Sequence, residues 1–188
     1  MRRIVVSEFI SLDGVFQAPG PDGSGYKYEG WTMSYGNEEF MKFKTEELMA
    51  ADAQLLGRIT YEGFATAWPQ RSGDAFSDKF NSMKKYVVSK TLKKADWNNS
   101  EIISKDFAKE IAKLKAKKGK DIIVYGSGQL VSSLLQLHLV DEYRVLLYPV
   151  VLGTGKRLFD KDSYAKLKLI EATPFKTGIV ALRYEPGK

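Results

Sequence analysis

Short apolar runs rich in β-branched residues alternate with helix-patterned segments along this chain, and three of the runs stop at a glycine or serine beside a cation or hydroxyl. The runs are Ile4–Ile10, 53–56, 86–88, 102–103 and 122–125. Between the first two, Phe40, Met41, Leu48 and Ala51 fall on one helical face. A second helix is expected from Asp106 to Gly119, with Phe107, Ile111 and Leu114 at i, i+4 and i+7 as its buried stripe. A third is expected over 130–139. Strands separated by helices need crossover connections, so the sheet they build is parallel. The C-terminal part reads differently. Runs at 143–151, 167–172 and 179–184 follow without a helix, and the turn Lys176-Thr177-Gly178 makes the last two an antiparallel pair. The fold class is therefore α/β, a mixed and mostly parallel sheet with an antiparallel C-terminal strand pair. No repeat or linker divides the 188 residues, and the expectation is a single domain over 1–188.

Composition narrows the chemistry. The chain has no cysteine and one histidine, His138. Disulfides, thiolate metal sites, cysteine nucleophiles and histidine clusters are thereby removed, and the expected metal set is none. A bound cofactor then carries any difficult chemistry. The apolar run after Arg2-Arg3 stops at Ser7-Glu8, so it reads as a first strand and not as a leader. No stretch reaches a membrane helix in length. Together these features lead us to expect a cytoplasmic protein without a membrane partner. The net charge is +6, with many lysines between Lys105 and Lys120. They read as the solvated face of the second helix, and no nucleic-acid partner is expected.

Parallel sheets bind ligands beyond the carboxyl ends of their strands. Three such ends share a chemistry. At Gly57-Arg58-Ile59-Thr60 a strand meets a helix start, whose N–H groups favour anions. Arg58 can fork onto a phosphate, although it also reads as a surface arginine and Thr60 as an N-cap. At Val88-Ser89-Lys90-Thr91 a strand runs into hydroxyls and a cation, or into an ordinary turn. At Tyr125-Gly126-Ser127-Gly128-Gln129-Leu130 a strand meets Gly-Ser-Gly and a helix, a turn able to present N–H groups to a pyrophosphate. Val131 breaks the G-x-G-x-x-G pattern and no acidic residue follows on a next strand, so a Rossmann domain is not expected. The triphosphate loop G-x-x-x-x-G-K-[ST] is absent, and Gly153-Thr154-Gly155-Lys156 lacks its spacing. Several phosphate-binding ends in order suit NADP(H), which carries a 2′-phosphate and a pyrophosphate.

The order Gly57-Arg58-x-Thr60, Val88-Ser89-Lys90, Gly126-Ser127-Gly128 resembles the NADPH site of dihydrofolate reductases. It is more similar to the reductase domain of bacterial riboflavin biosynthesis and its stand-alone relatives. Ser11-Leu12-Asp13-Gly14 resembles that group's opening motif, and so does the stretch from Leu139-Val140-Asp141-Glu142-Tyr143 to Pro149-Val150-Val151-Leu152-Gly153. The likeness runs from about Ile4 to Tyr184. It implies a dihydrofolate-reductase-like three-layer fold, a homodimer and hydride transfer from NADPH to a carbonyl or imine carbon of a small heterocyclic or ribosylated substrate. Arg58, Ser89 and Lys90, followed by Thr91, would hold the 2′-phosphate. Thr60 and the turn Gly126, Ser127, Gly128, Gln129, Leu130 would hold the pyrophosphate beside Gly57. The backbone of Ser7 to Phe9 would meet the nicotinamide amide. Asp13 is the candidate acid, or else an Asp-Gly turn. Phe16, Trp31 and Phe40 are the candidate substrate walls, or else ordinary core. Two alternatives remain: a pterin or folate reductase, and an NADP(H)-binding protein without turnover. Gapless counting places Met41 where dihydrofolate reductases carry their pterin-gripping carboxylate, with Glu38 and Glu39 as the nearest acids. A fused zinc deaminase is excluded within this chain by the missing cysteines.

Overall fold

The computed structural model describes residues 1–159 and 163–187. Its strands are β1 (Ile4–Ser11), β2 (Ala51–Gly57), β3 (Lys84–Val88), β4 (Ser100–Ile103), β5 (Asp121–Tyr125), β6 (Glu142–Tyr148), β7 (Leu167–Pro174) and β8 (Val180–Pro186). Among the described residues they form one sheet in the order β4-β3-β2-β5-β1-β6-β8-β7. β4 through β6 run parallel, while β8 pairs antiparallel with both β6 and β7. The helices are α1 (Glu38–Met49), α2 (Arg58–Ala67), α3 (Ala75–Ser82), α4 (Phe107–Ala116) and α5 (Gly128–Gln136).

Two apolar layers cover the sheet. On one face Ile111 and Leu114 of α4 and Leu130, Val131, Leu134 and Leu135 of α5 pack on Ile4, Val6, Leu55, Ile122 and Val124. On the other, α1, α2 and α3 supply Leu48, Tyr61 and Phe80, which pack on Leu56, Val87 and Ile123. The lysine-rich segment largely follows its periodicity: Ile111 and Leu114 are buried, Phe107 partly so, and the lysines face out except Lys115, which pairs with Asp141. A third cluster gathers Leu146, Tyr148, Phe175 and Ile179 beside Phe9, Trp31 and Phe40.

Several boundaries differ from the sequence reading. Ala51 opens β2 instead of closing α1, and Met41 is exposed. The buried positions of α1 are Lys44, Glu47 and Leu48, so two charged residues stand where an apolar stripe was expected. The second expected helix starts one residue after Asp106 and stops at Ala116, and α5 begins at Gly128. β6 ends at Tyr148, because Pro149 has no N–H to continue the ladder. α3 has no counterpart in the sequence reading. Its start is fixed by Asp74, whose carboxylate accepts from the Phe76 and Ser77 N–H groups.

Lys85 is wholly buried on β3, where Nζ donates to the carbonyls of Asn81, Met83 and Asn98. Burial lowers its pKa from the ordinary 10.5 to about 8. The unfolded chain therefore binds more protons than the fold between those values, and this residue's contribution to stability rises with pH across that window. Lys85→Met should cost about 1–3 kcal/mol at pH 7, since it strands three carbonyls. Urea midpoints should show the rise from pH 8 to 10 in the parent chain, and a flatter course in the variant.

Candidate active site

Because β2, β3, β4, β5 and β1 run parallel, their carboxyl ends share one edge, and the three sequence-derived turns meet there. The Gly57 N–H donates to Ser127 Oγ at 2.9 Å, and that hydroxyl donates to the Tyr125 carbonyl at 3.2 Å. These bonds hold Ser127 at φ 62°, a left-handed conformation that costs a non-glycine residue about 1–2 kcal/mol. Gly126 precedes it at φ 55°, and a Cβ there would lie 3.1 Å from Thr60 Oγ1. Gly57, Thr60, Gly126 and Ser127 thus form one closed seam.

The helices leaving this edge are exceptional in their capping. α1 and α3 are capped by Asn37 and Asp74. α2, α4 and α5, which follow β2, β4 and β5, carry no side-chain cap among the described residues. Their first-turn N–H groups and positive dipole ends suit an anion.

Beyond the seam lies an open groove of about 800 Å³, lined by Lys90, Leu92, Lys93, Ile102, Ser104, Lys105 and Asp106. Lys93, Ser104 and Lys105 were not singled out in the sequence. Lys105 reads there as part of a helix face, and only the pairing of β4 with β3 brings it opposite Lys90. Arg58 is half-exposed and pairs with Glu62, 2.9 Å away on its own helix. Ser89 is buried, and its Oγ accepts from the Thr91 and Leu92 N–H groups, so it shapes the turn that presents Lys90. Gln129 is exposed, whereas the Leu130 side chain belongs to the core, which leaves that residue's backbone to the turn.

Asp13 has a different occupation from the acid expected of it. It accepts from Ser11 Oγ at 2.6 Å, the Leu152 N–H at 3.1 Å and the Gly153 N–H at 2.8 Å. These bonds, led by the Ser11 hydroxyl, lower its pKa from 3.8 to about 2. A carboxylate so stabilised is ionised at neutral pH and has no proton to give. It ties the Ser11–Gly14 turn to the loop after β6. Phe16 also parts from the substrate wall. It packs against Gly128, where a Cβ would run into its ring, and so lies against the turn of α5. Trp31 and Phe40 do come together on the α1 face: Trp31 stands edge-on to Tyr148 at 5.2 Å, and Phe40 lies 5.7 Å from Phe9.

A buried polar cluster completes the site, and sequence periodicity missed it. Lys44 pairs with Glu47 and donates to Ser7 Oγ at 2.9 Å. Ser7 in turn donates to Glu47 Oε1 at 2.9 Å, and the Tyr125 hydroxyl reaches the same oxygen at 3.3 Å. Arg144 Nη1 stands 3.8 Å from Glu47 Oε2. Glu8, 4% exposed, is the next residue along β1 and is turned to the other face of the sheet, that of Val6 and Ile10. Burial pushes its pKa well up, against the opposing pull of Lys44 and the Gly126 N–H. Charged residues inside α1 were the available signal, since a lysine and a glutamate three apart rarely enter a core unpaired.

The RibD C-terminal domain model matches residues 2–181. The chain belongs to the RibD C-terminal domain family. It is 33% identical over 189 residues to the uncharacterised protein YyaP of Bacillus subtilis, covering 97% of this chain and 94% of that one. A protein ascribed to riboflavin biosynthesis from Shewanella sp. PV-4 superposes with a TM-score of 0.76 at 19% identity, covering 99% of both chains. Dihydrofolate reductase from Enterococcus faecalis, solved with NADP(H), superposes at 0.65 and 14% identity over 99% of this chain and 97% of that one. The α/β architecture is thus that of the dihydrofolate-reductase-like proteins.

Asp13→Asn should lower stability by about 1–3 kcal/mol at pH 7. A group whose folded pKa is depressed stabilises above its unfolded pKa and loses that effect as pH falls through the folded one. The difference between parent and variant in thermal midpoint should therefore persist above about pH 4 and vanish as pH falls toward 2.

Proposed function

We propose that this chain is an NADP(H)-dependent reductase, transferring hydride from NADPH to a carbonyl or imine carbon of a small heterocyclic or ribosylated substrate. The observation that carries the reading is the shared edge. The closed Gly57–Ser127 seam, the uncapped starts of α2 and α5, and the groove of Lys90, Lys93 and Lys105 lie in line at the carboxyl ends of adjacent strands. One pyrophosphate and one monoester phosphate match that order of donors. Thr60 and the turn 126–130 would hold the pyrophosphate, while Arg58, Lys90 and Lys105 would hold the 2′-phosphate. The bound group supplies the hydride. The protein supplies position, a dry aromatic wall at Trp31, Phe40 and Tyr148, and the electrostatics at Glu8 and Lys44.

For the substrate, we favour a ribosylated aminopyrimidine such as 5-amino-6-(5-phosphoribosylamino)uracil over a pterin. Met41 is exposed, and the buried acid of α1, Glu47, is already engaged by Lys44, Ser7 and Tyr125. Turnover of dihydrofolate with none of the aminopyrimidine would reverse this preference.

Calorimetry with NADPH and NADH tests the core of the reading. NADPH should bind the more tightly, and Arg58→Ala or Lys90→Ala should weaken NADPH about tenfold, the scale of one charge-assisted contact, with little change for NADH. Equal losses for both would remove the 2′-phosphate assignment.

A further inference from the structure

Glu8 follows Ser7 along β1, and strand alternation turns its side chain to the opposite face of the sheet, the face of Val6 and Ile10. It stands on β1 paired with Val145 of β6, one step past Ser7, which pairs with Tyr125 of β5. The next residue on the β5 side is Gly126, so Glu8 lies directly under the turn that would cradle the pyrophosphate. Its Oε1 is buried and has no hydrogen-bond partner among the described residues. A buried ionised carboxylate with an empty acceptor is costly, and a neutral carboxylic acid is the form such a site tolerates.

The order of strands says what passes over it. The lysine groove lies at β3 and β4, the seam at β2 and β5, and β1 comes next. Adjacent strands are about 4.8 Å apart. A dinucleotide with its 2′-phosphate in the groove and its pyrophosphate at the seam therefore brings its nicotinamide end to the carboxyl end of β1. That ring is neutral when reduced and cationic when oxidised. We infer that Glu8 is the charge partner of the nicotinamide ring, a neutral acid under reduced cofactor and a carboxylate under oxidised cofactor. The inference rests on the NADP(H) reading.

The step balances. NADPH, neutral Glu8 and a C=O or C=N group give NADP⁺, the Glu8 carboxylate and CH–OH or CH–NH. The hydride goes to carbon, and the proton shed by Glu8 matches the one gained by oxygen or nitrogen. Solvent returns it when the oxidised cofactor leaves. Charges on both sides of the sheet act on Glu8. Lys44 of α1 and the Gly126 N–H of the β5 turn draw the carboxyl toward ionisation, while Glu47 of α1 opposes it. Tyr125 of β5 also senses Glu8, and its burial, together with the nearby Glu47 carboxylate, holds that phenol protonated. Arg144 of β6 offsets Glu47. A positive charge added beside this carboxyl would favour its ionised form.

The test is a proton inventory on the purified protein, by calorimetry at pH 7 in buffers of different ionisation enthalpy. NADP⁺ should release up to about one proton more than NADPH, and Glu8→Gln should abolish the difference while both cofactors still bind. The two cofactors carry the same phosphates, so phosphate titration cancels. In the parent chain, NADP⁺ affinity relative to NADPH should rise by up to about tenfold per pH unit below the Glu8 transition, a result that needs no variant. Equal proton counts and a flat affinity ratio would overturn the assignment, as would a difference that survives in Glu8→Gln. Failure to bind either cofactor would instead overturn the NADP(H) reading on which it stands.

Discussion

The parallel pairing of β1 with both β5 and β6 is the constraint from which the site follows. It fixes β1 at the centre, sends the chain outward through β2, β3 and β4, and forces β5 back into the space between β1 and β2. Parallel pairing along that half puts every strand's carboxyl end on one edge. Three turns far apart in sequence then become neighbours with no further instruction. The Gly57 N–H finds Ser127 Oγ because β2 and β5 are adjacent. Residues seventy positions apart close one seam, and the backbone geometry at Gly126 and Ser127 is held by that closure.

The same pairing explains the placement of charge. A parallel sheet covered on both faces is ordinarily apolar at its centre. Here Ser7, Glu8, Lys44, Glu47 and Arg144 occupy part of that centre, near the ends of β1 and β5. From that group Arg144 of β6 bonds Glu142, two residues back on its own strand, at 2.7 Å, and Glu142 also receives Arg183 and Arg3. The chain of ion pairs thus runs from the candidate site to the antiparallel strand pair. Such groups add little net stability, because desolvation offsets much of their attraction. Their value lies in fixing which protonation states the site can hold.

Much of this was legible in the sequence. Strands such as Ile4–Ser11 and Asp121–Tyr125 announce themselves by β-branched apolar runs, and α4 by its stripe at Phe107, Ile111 and Leu114. The three anion-binding turns are local in sequence, and so are their signals. What stayed hidden depends on distance. Lys105 joins Lys90 only through the pairing of β3 and β4. Asp13 reads as an acid beside the site until the Leu152 and Gly153 N–H groups close on it. Phe16 reads as a substrate wall until α5 places Gly128 beneath it. Lys44 and Glu47 defeat periodicity outright, because a scale that ranks them as solvent-seeking cannot see that each is the other's reason for being buried.

The turn at Ser11–Gly14, the segment after it and the loop after β6 are stitched together at several points. Asp13 grips Leu152 and Gly153, Val15 bridges to Arg157, and the Tyr26 hydroxyl donates to the Thr154 carbonyl at 2.6 Å. Gly155 leaves room for the Tyr26 ring. The two loops therefore form one mechanical unit with a single seam of inheritance. A chimera that imports the 13–26 segment from a relative should carry that relative's 152–157 loop with it, because either half alone arrives without the partner that gives it a shape.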